Sequence, residues 1–201
     1  VATVLYPEDH QEFSTSVGKP AFHVETAIMA KDGRLVETGE IGEIVHKSPH
    51  LTLGYADQDD KTTEAFVHGW FHSGDLGYFS ATGHLYIVDR IKDMVKTGGE
   101  NVATREVEDV IYRFNAIQEV AVFGVPHPHW IEAVTAVIVI KQGHHFVLDE
   151  LLAHCKKHLS TYKMPKSVHM VEALPKNASG KILKRQLRQQ YQSLYIQEQT
   201  A

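Results

Sequence analysis

Short apolar runs broken by turn residues mark the first ninety residues. "VETAIMA" (24–30), "GEIVHK" (42–47) and "HLYIVD" (84–89) are rich in β-branched and aromatic side chains. That composition suits a pleated, half-buried surface and predicts strands. Asp32-Gly33 and Thr82-Gly83 lie between them and supply turn chemistry. The one helix expected in this part is short, near "DKTTEAFV" (60–67). From about Arg90 the period changes. Val107, Val110, Ile111 and Phe114 fall at helical spacing and predict a helix from about Thr104. "EVAVFGV" (119–125) and "AVTAVIVI" (133–140) are mostly apolar and predict well-covered strands. Leu148, Leu151, Leu152, Cys155 and Leu159 mark a second amphipathic helix. "SVHMVEAL" (167–174) predicts a strand, and Leu183, Leu187 and Tyr191, four apart, predict a third helix. The expected fold class is α+β. A β region covers 1–90, a small α+β unit covers 91–201, and the boundary falls near "VDRIKD" (88–93).

Composition adds bounds. The chain has 201 residues, 43% hydrophobic and 22% charged, ordinary values for a soluble globular protein. A net charge of −5 excludes a nucleic-acid binder by overall charge. One cysteine, Cys155, excludes an internal disulfide framework and suits a reducing compartment. The expected location is cytoplasmic, or peripheral to a membrane, because no apolar run approaches the ~20 residues of a span. The first residues carry no charged segment ahead of an apolar one and no starting Met, so a fragment or excised domain is expected rather than a signal peptide.

Against the acidic background stands "PKNASGKILKRQLR" (175–188), with five cationic side chains and no acidic one. Asn177, Ser179 and Gly180 are turn formers. Lys181 is therefore expected on a loop at a helix start, where backbone N–H groups favour an anion. The Walker pattern fails, since Pro175 stands where it needs Gly and Ile182 where it needs Ser or Thr. Lys184, Arg185 and Arg188 could form a basic face, but no aromatic interleaves for base stacking. A solvated helix face is the plainer account of the same charges. Fourteen histidines raise the question of a metal. The pairs His154/His158 and His127/His129 have no Glu at zincin spacing and no Cys pair, so no metal site is expected. Cys155 falls on an apolar helix face and is expected to be a buried, inert thiol. "KTGGEN" (96–101) predicts a tight loop where backbone passes close to something. "HSGDLG" (72–77), taken alone, predicts a turn capped by Asp75.

The order of the pieces says more than each alone. "GEIGEIVHKSPHLTLGY" (39–55), "GWFHSGDLG" (69–77), "VDRIKDMVKTGGENVATREVE" (88–108) and "PKNASGKILKRQLR" resemble four successive motifs of the adenylate-forming, AMP-binding enzymes. The resemblance runs from about Gly18 to about Gln190. It is strongest to the acyl-CoA synthetases and fatty-acid–CoA ligases, where "TGGEN" and "SGKILKR" are typical.

The resemblance implies a fold, a reaction and roles. The fold is the end of a large domain's antiparallel β subdomain, followed by a small mobile α+β domain. The reaction joins a carboxylic acid to ATP as acyl-AMP, then passes the acyl group to coenzyme A. Lys181 matches the adenylation lysine, which would bridge the substrate carboxylate and the α-phosphate. A cation there offsets repulsion between two anions and the charge spread over phosphoryl oxygens. Asp75 matches the aspartate that holds the ribose hydroxyls of ATP or AMP, and Arg90 a nucleotide-contacting arginine. Lys92 matches the hinge, a position the family fills with Asp or Lys. Gly98, Gly99 and Glu100 fall in the loop that would line the coenzyme A passage, and Lys96 would face the site in that second state. The family's Ser/Thr/Gly-rich phosphate loop and its Tyr-Gly-x-Thr-Glu segment, a Mg²⁺ ligand region, are absent from the sequence. Both are expected upstream, on an N-terminal domain of the same enzyme, together with most of the acyl pocket. The fragment alone is expected to be inactive. Two other readings stand beside this one. One is an adenylation domain loading a carrier protein, which finds no following domain in "QLRQQYQSLYIQEQTA" (186–201). The other is a non-catalytic module using the basic helix.

Overall fold

The computed structural model describes residues 1–195. It divides into two compact units, Val1–Lys92 and Asp93–Ala201, and the fold is α+β.

The first unit is nearly all strand. β1 (Thr3–Val4) pairs with β2 (Lys19–Pro20). The main sheet holds β3 (Glu25–Met29), β4 (Gly42–Lys47), β5 (Phe66–Val67), β6 (Trp70–Phe79) and β7 (Leu85–Arg90). Its order is β3-β4-β6-β5, with β7 also on β6 and all pairs antiparallel. The short helix α1 (Asp59–Ala65) precedes β5. Alternation along the strands sends Ile28, Ile44 and Leu85 into one core cluster. Met29, Val45 and Trp70 form another. The turn expected at "HSGDLG" is instead the middle of β6. Gly74 and Gly77 made it resemble a turn, but pairing with β4 and β7 on its two edges holds it extended.

The second unit opens on the hairpin β8 (Val95–Thr97) and β9 (Glu100–Val102), followed by the helix α2 (Thr104–Tyr112). A long antiparallel hairpin, β10 (Ile117–His127) and β11 (Ile131–Ile140), forms its centre. Then come α3 (Leu148–His158), β12 (Ser167–Met170) and α4 (Lys184–Tyr191). β12 lies parallel to β11, and β8 meets β11 at Ile131. The apolar runs in β10 and β11 follow from cover on both faces. Val120, Val122, Val134, Ala136 and Ile138 pack with α2 and α3 residues such as Ile111, Leu151 and Cys155. The alternate set, including Ala121, Phe123, Ala133 and Val137, packs with Leu187 of α4 and Tyr195. The strand expected over 167–174 stops at Met170. No helix among the described residues is long and apolar enough to cross a membrane.

Candidate functional site

Asp75 owes its position to an irregularity in β6. Val45 of β4 faces His72 and Glu43 faces Leu76, so Ser73, Gly74 and Asp75 stand opposite Ile44 alone. A bulge of this kind re-aims side chains beside functional sites. Gly74 adopts φ +75° within it, a conformation that costs glycine little. Ser73 Oγ accepts the Asp75 N–H at 3.0 Å, and Glu43 Oε1 accepts the Gly74 N–H at 3.0 Å. Glu43 Oε2 lies 2.8 Å from His72 Nδ1. On the other edge Asp75 is in register with Arg90 of β7, whose Nε donates to Asp75 Oδ1 at 2.9 Å. Asp75 Oδ2 accepts no hydrogen bond from the described residues. The two side chains are 29% and 39% exposed, so the pair is open to a ligand. Ser73, Gly74, Arg90, Ile91 and Lys92 line a cavity of about 300 Å³ beside it. Behind the bulge His46 is buried, with Nδ1 3.0 Å from Thr26 Oγ1. Burial holds its imidazole below the usual histidine range, and the Asp75 charge pulls the other way.

In the second unit Lys96, Gly98, Gly99 and Glu100 share one hairpin. Lys96 faces Asn101 and Thr97 faces Glu100. Gly98 and Gly99 form the two-residue turn with φ +58° and +86°, the mirror-image geometry that matches strand twist. Among the described residues nothing crowds them. A Cβ on Gly98 would come no closer than 3.9 Å to Trp130 Cδ1, and one on Gly99 would meet nothing within 4 Å. The close approach expected from the glycine pair is therefore not made by the chain itself; the backbone angles account for the residues. Glu132 Oε2 anchors the turn by accepting the Lys96 N–H at 2.7 Å, and the Trp130 carbonyl accepts the Gly98 N–H at 3.0 Å. The side chains of Lys96 and Glu100 are exposed.

Lys181 does not open a helix. α4 starts at Lys184, and residues 176–182 close on themselves through a bridge between Lys176 and Ile182. Asn177 Oδ1 accepts the N–H groups of Ser179 at 3.1 Å and Lys181 at 2.8 Å. A side-chain acceptor of this kind competes with helix formation and occupies the N–H groups expected to favour an anion. The Lys181 side chain is exposed and makes no hydrogen bond or ion pair with the described residues.

The neighbouring cations are differently placed. Lys176 Nζ pairs with Glu119 at 2.6 Å. Lys184 Nζ reaches Glu108 Oε1 and Thr104 Oγ1, each at 2.8 Å. Arg188 Nη2 pairs with Asp93 at 2.8 Å. The basic face expected from Lys184, Arg185 and Arg188 is therefore largely neutralised within the unit. The histidine pairs have local roles, as where His154 Nε2 bonds to the Val110 carbonyl at 3.0 Å. No group of three or more His, Cys, Asp or Glu side chains among the described residues is arranged to hold a metal ion. Cys155 is buried and free, and burial pushes its thiol up to about 11.

Glu43, His72, Glu108 and Glu132 were not singled out by sequence. Glu43 sits in a strand pattern as an ordinary outward polar residue, and the contacts that distinguish it come from β6, about thirty positions away. The segment 186–201 in which no further domain was found extends past the described residues, since 196–201 lie outside them.

Residues 106–181 match the family model for the AMP-binding enzyme C-terminal domain. The chain is 40% identical over 185 residues to a 2-succinylbenzoate–CoA ligase of Geobacillus sp. (strain WCH70), covering 92% of this chain and 37% of that protein. It is 41% identical over 189 residues to the long-chain-fatty-acid–CoA ligase FadD13 of Mycobacterium tuberculosis, covering 94% of this chain and 37% of that protein. Among solved structures, the o-succinylbenzoate CoA synthetase MenE of Bacillus subtilis, in complex with its acyl-adenylate intermediate, superposes with a TM-score of 0.86. The identity is 36%, over 93% of this chain and 38% of that one. The chain thus spans just over a third of the length of the relatives it matches.

Proposed function

The chain belongs to the adenylate-forming, AMP-binding enzymes, among their CoA ligases, and from that premise we propose that it forms the closing portion of an ATP-dependent acyl-CoA ligase. The remainder of that ligase is its first partner, and a carboxylic acid, ATP and coenzyme A are its substrates. In this reading Asp75 holds the ribose hydroxyls through its uncommitted oxygen, with Arg90 beside it. Lys181 meets the carboxylate and the α-phosphate during adenylation. Lys92 is the hinge. The hairpin carrying Lys96, Gly98, Gly99 and Glu100 serves the thioester step, its open turn leaving room for a thiol on a narrow arm. Any Mg²⁺ accompanying ATP takes its ligands from outside this chain. The relatives act on different acids, and a fatty acid is the substrate class we favour. The enzyme works in the cytoplasm or at a membrane surface.

The observation that carries this reading is the separate treatment of Lys181. Lys176, Lys184 and Arg188 are bound in ion pairs. Lys181 is held by its backbone while its ammonium stays uncommitted. Arg185, on α4, is likewise exposed; what sets Lys181 apart is the Asn177-anchored loop that fixes its backbone just ahead of the helix.

The test is ATP–pyrophosphate exchange by the full-length ligase over a panel of carboxylic acids. Exchange should be strongest with fatty acids. Lys181→Ala should lower it by about 10²–10³, the loss seen when one preorganised charge stabiliser is removed, and should spare thioester formation from preformed acyl-adenylate. Equal loss in both half-reactions would remove Lys181 from the assigned role. Strong exchange with aromatic acids alone would replace the fatty acid.

A further inference from the structure

We infer that Glu43 is a positioning residue for Asp75: its carboxylate spans the β6 bulge and sets the height at which the ribose-binding aspartate stands. The inference rests on the nucleotide role proposed for Asp75.

A bulge leaves backbone groups without ladder partners, and a part-buried N–H left unpaired is costly. At Gly74 the missing acceptor is supplied by a side chain. Glu43 Oε1 takes that N–H at 3.0 Å, from a strand position that faces Leu76 across the ladder. The second oxygen, Oε2, is fixed by His72 Nδ1 at 2.8 Å, and His72 Nε2 is in turn fixed by the Val67 carbonyl at 3.2 Å. Both oxygens of Glu43 are thus engaged, one on each side of Ser73, immediately before Asp75. The Glu43 and His72 side chains are 21% and 18% exposed, so water competes only partly for these contacts. Asp75 is also held by Ser73 Oγ through its N–H and by Arg90 through its carboxylate. Those contacts orient Asp75 locally, whereas Glu43 joins the bulge to β4 through its side chain.

The arrangement indicates which variant should rescue. The Val67 carbonyl and the Glu43 carboxylate are both acceptors, so His72 makes the two contacts together only with a hydrogen on each ring nitrogen. A Gln at position 43 can accept the Gly74 N–H through its oxygen and donate its amide N–H to Nδ1 of a neutral His72. Glu43→Gln therefore keeps both contacts, whereas Glu43→Ala loses both. Glu43→Asp keeps the charge but is one methylene short.

In the full-length ligase, Glu43→Ala and Glu43→Asp should raise KM for ATP about tenfold or more, the scale of one lost charge-assisted hydrogen bond. KM for the carboxylic acid should stay unchanged, and Glu43→Gln should remain within about threefold of wild type on the same reasoning. In this chain alone, the Gly74 amide should exchange with solvent faster in Glu43→Asp than in wild type, while the β10–β11 amides are unaffected. A Gly74 amide indifferent to residue 43, an ATP KM unmoved by both Ala and Asp, or an acid KM that rises in parallel would each overturn the inference. If Glu43→Ala does not fold, the Asp and Gln variants carry the comparison. A wild-type ligase that exchanges pyrophosphate with no acid would defeat the functional reading, and the Gly74 amide would still decide whether Glu43 holds the bulge.

Discussion

Two histidines and one cysteine show what burial does to individual groups. His46 and His169 are both held below the usual histidine range, chiefly by desolvation. Folding therefore keeps these rings neutral, while the unfolded chain protonates them near the ordinary value of about 6.5. Below that value the unfolded state binds more protons, so stability falls as pH drops toward the folded-state values and is fully present above 6.5. Trp70, buried in the first unit beneath Lys47, reports on His46 in a Trp130→Phe background. Its urea midpoint should be lower at pH 5.5 than at pH 7.5, and the difference should shrink in His46→Gln. A midpoint independent of pH would defeat the argument. Cys155 is the second case. With no exposure and a pKa near 11, it has almost no thiolate at neutral pH. Ellman's reagent should label it only in denaturant; prompt labelling of native protein would contradict its burial. The helical spacing of Cys155 among leucines made this legible in the sequence. The burial of His46 was not, because strand position says which face a residue lies on but not what covers that face.

At the scale of elements, α4 shows how a polar helix is held in place. Its sequence is "KRQLRQQY" and its only buried residue is Leu187. Eight residues make a marginal helix in water, and one leucine contributes roughly 1.5–3 kcal/mol of burial. The ion pairs at Lys184 and Arg188 therefore matter to docking. Removing Lys184 takes one of several partners from Glu108, whose side chain is 20% exposed and whose Oε1 also accepts the Val122 N–H at 2.7 Å, and one hydrogen bond from the buried Thr104. Lys184→Met should cost about 1–3 kcal/mol in urea unfolding, below the full penalty for an isolated buried charge. Arg185→Ala, at an exposed site, should stay within about 0.5 kcal/mol. Equal effects would mean that the pairing contributes nothing. This layout explains which elements could be read from sequence. The spacing of Val107, Val110 and Ile111 marked α2, and the apolar runs marked β10 and β11. β6 was missed because two glycines and an aspartate outweighed its flanking aromatics, and only its neighbours β4 and β7 reveal it as a strand. The spacing of Leu183, Leu187 and Tyr191 marked α4, which starts at Lys184; that Asn177 closes the loop before it was not legible, because local propensity does not show which N–H groups a side-chain acceptor takes.

For the whole molecule, the compact units separate at Lys92 and Asp93, within "VDRIKD". The proposed hinge is thus the last residue of one unit, within a short 3-10 turn, Ile91–Asp93. A hinge residue must pass between backbone conformations. Proline fixes φ near −65° and pushes the preceding residue, here Ile91, toward extended geometry. Lys92→Pro should therefore restrict a change of domain orientation without touching Lys181, Asp75 or the Gly98-Gly99 turn. If one orientation serves adenylation and another serves thioester formation, the two half-reactions should separate. Pyrophosphate exchange by full-length Lys92→Pro should stay within about threefold of wild type, and thioester formation from preformed acyl-adenylate should fall about tenfold or more, equivalent to ~1.4 kcal/mol or more of lost transition-state access. Lys92→Ala controls for the lost charge and should leave both halves near wild type. If Pro and Ala behaved alike, the charge of Lys92 would matter and its backbone would not. If both half-reactions fell together in the Pro variant, position 92 would be structural, and the switch between half-reactions would have to be sought elsewhere in the chain.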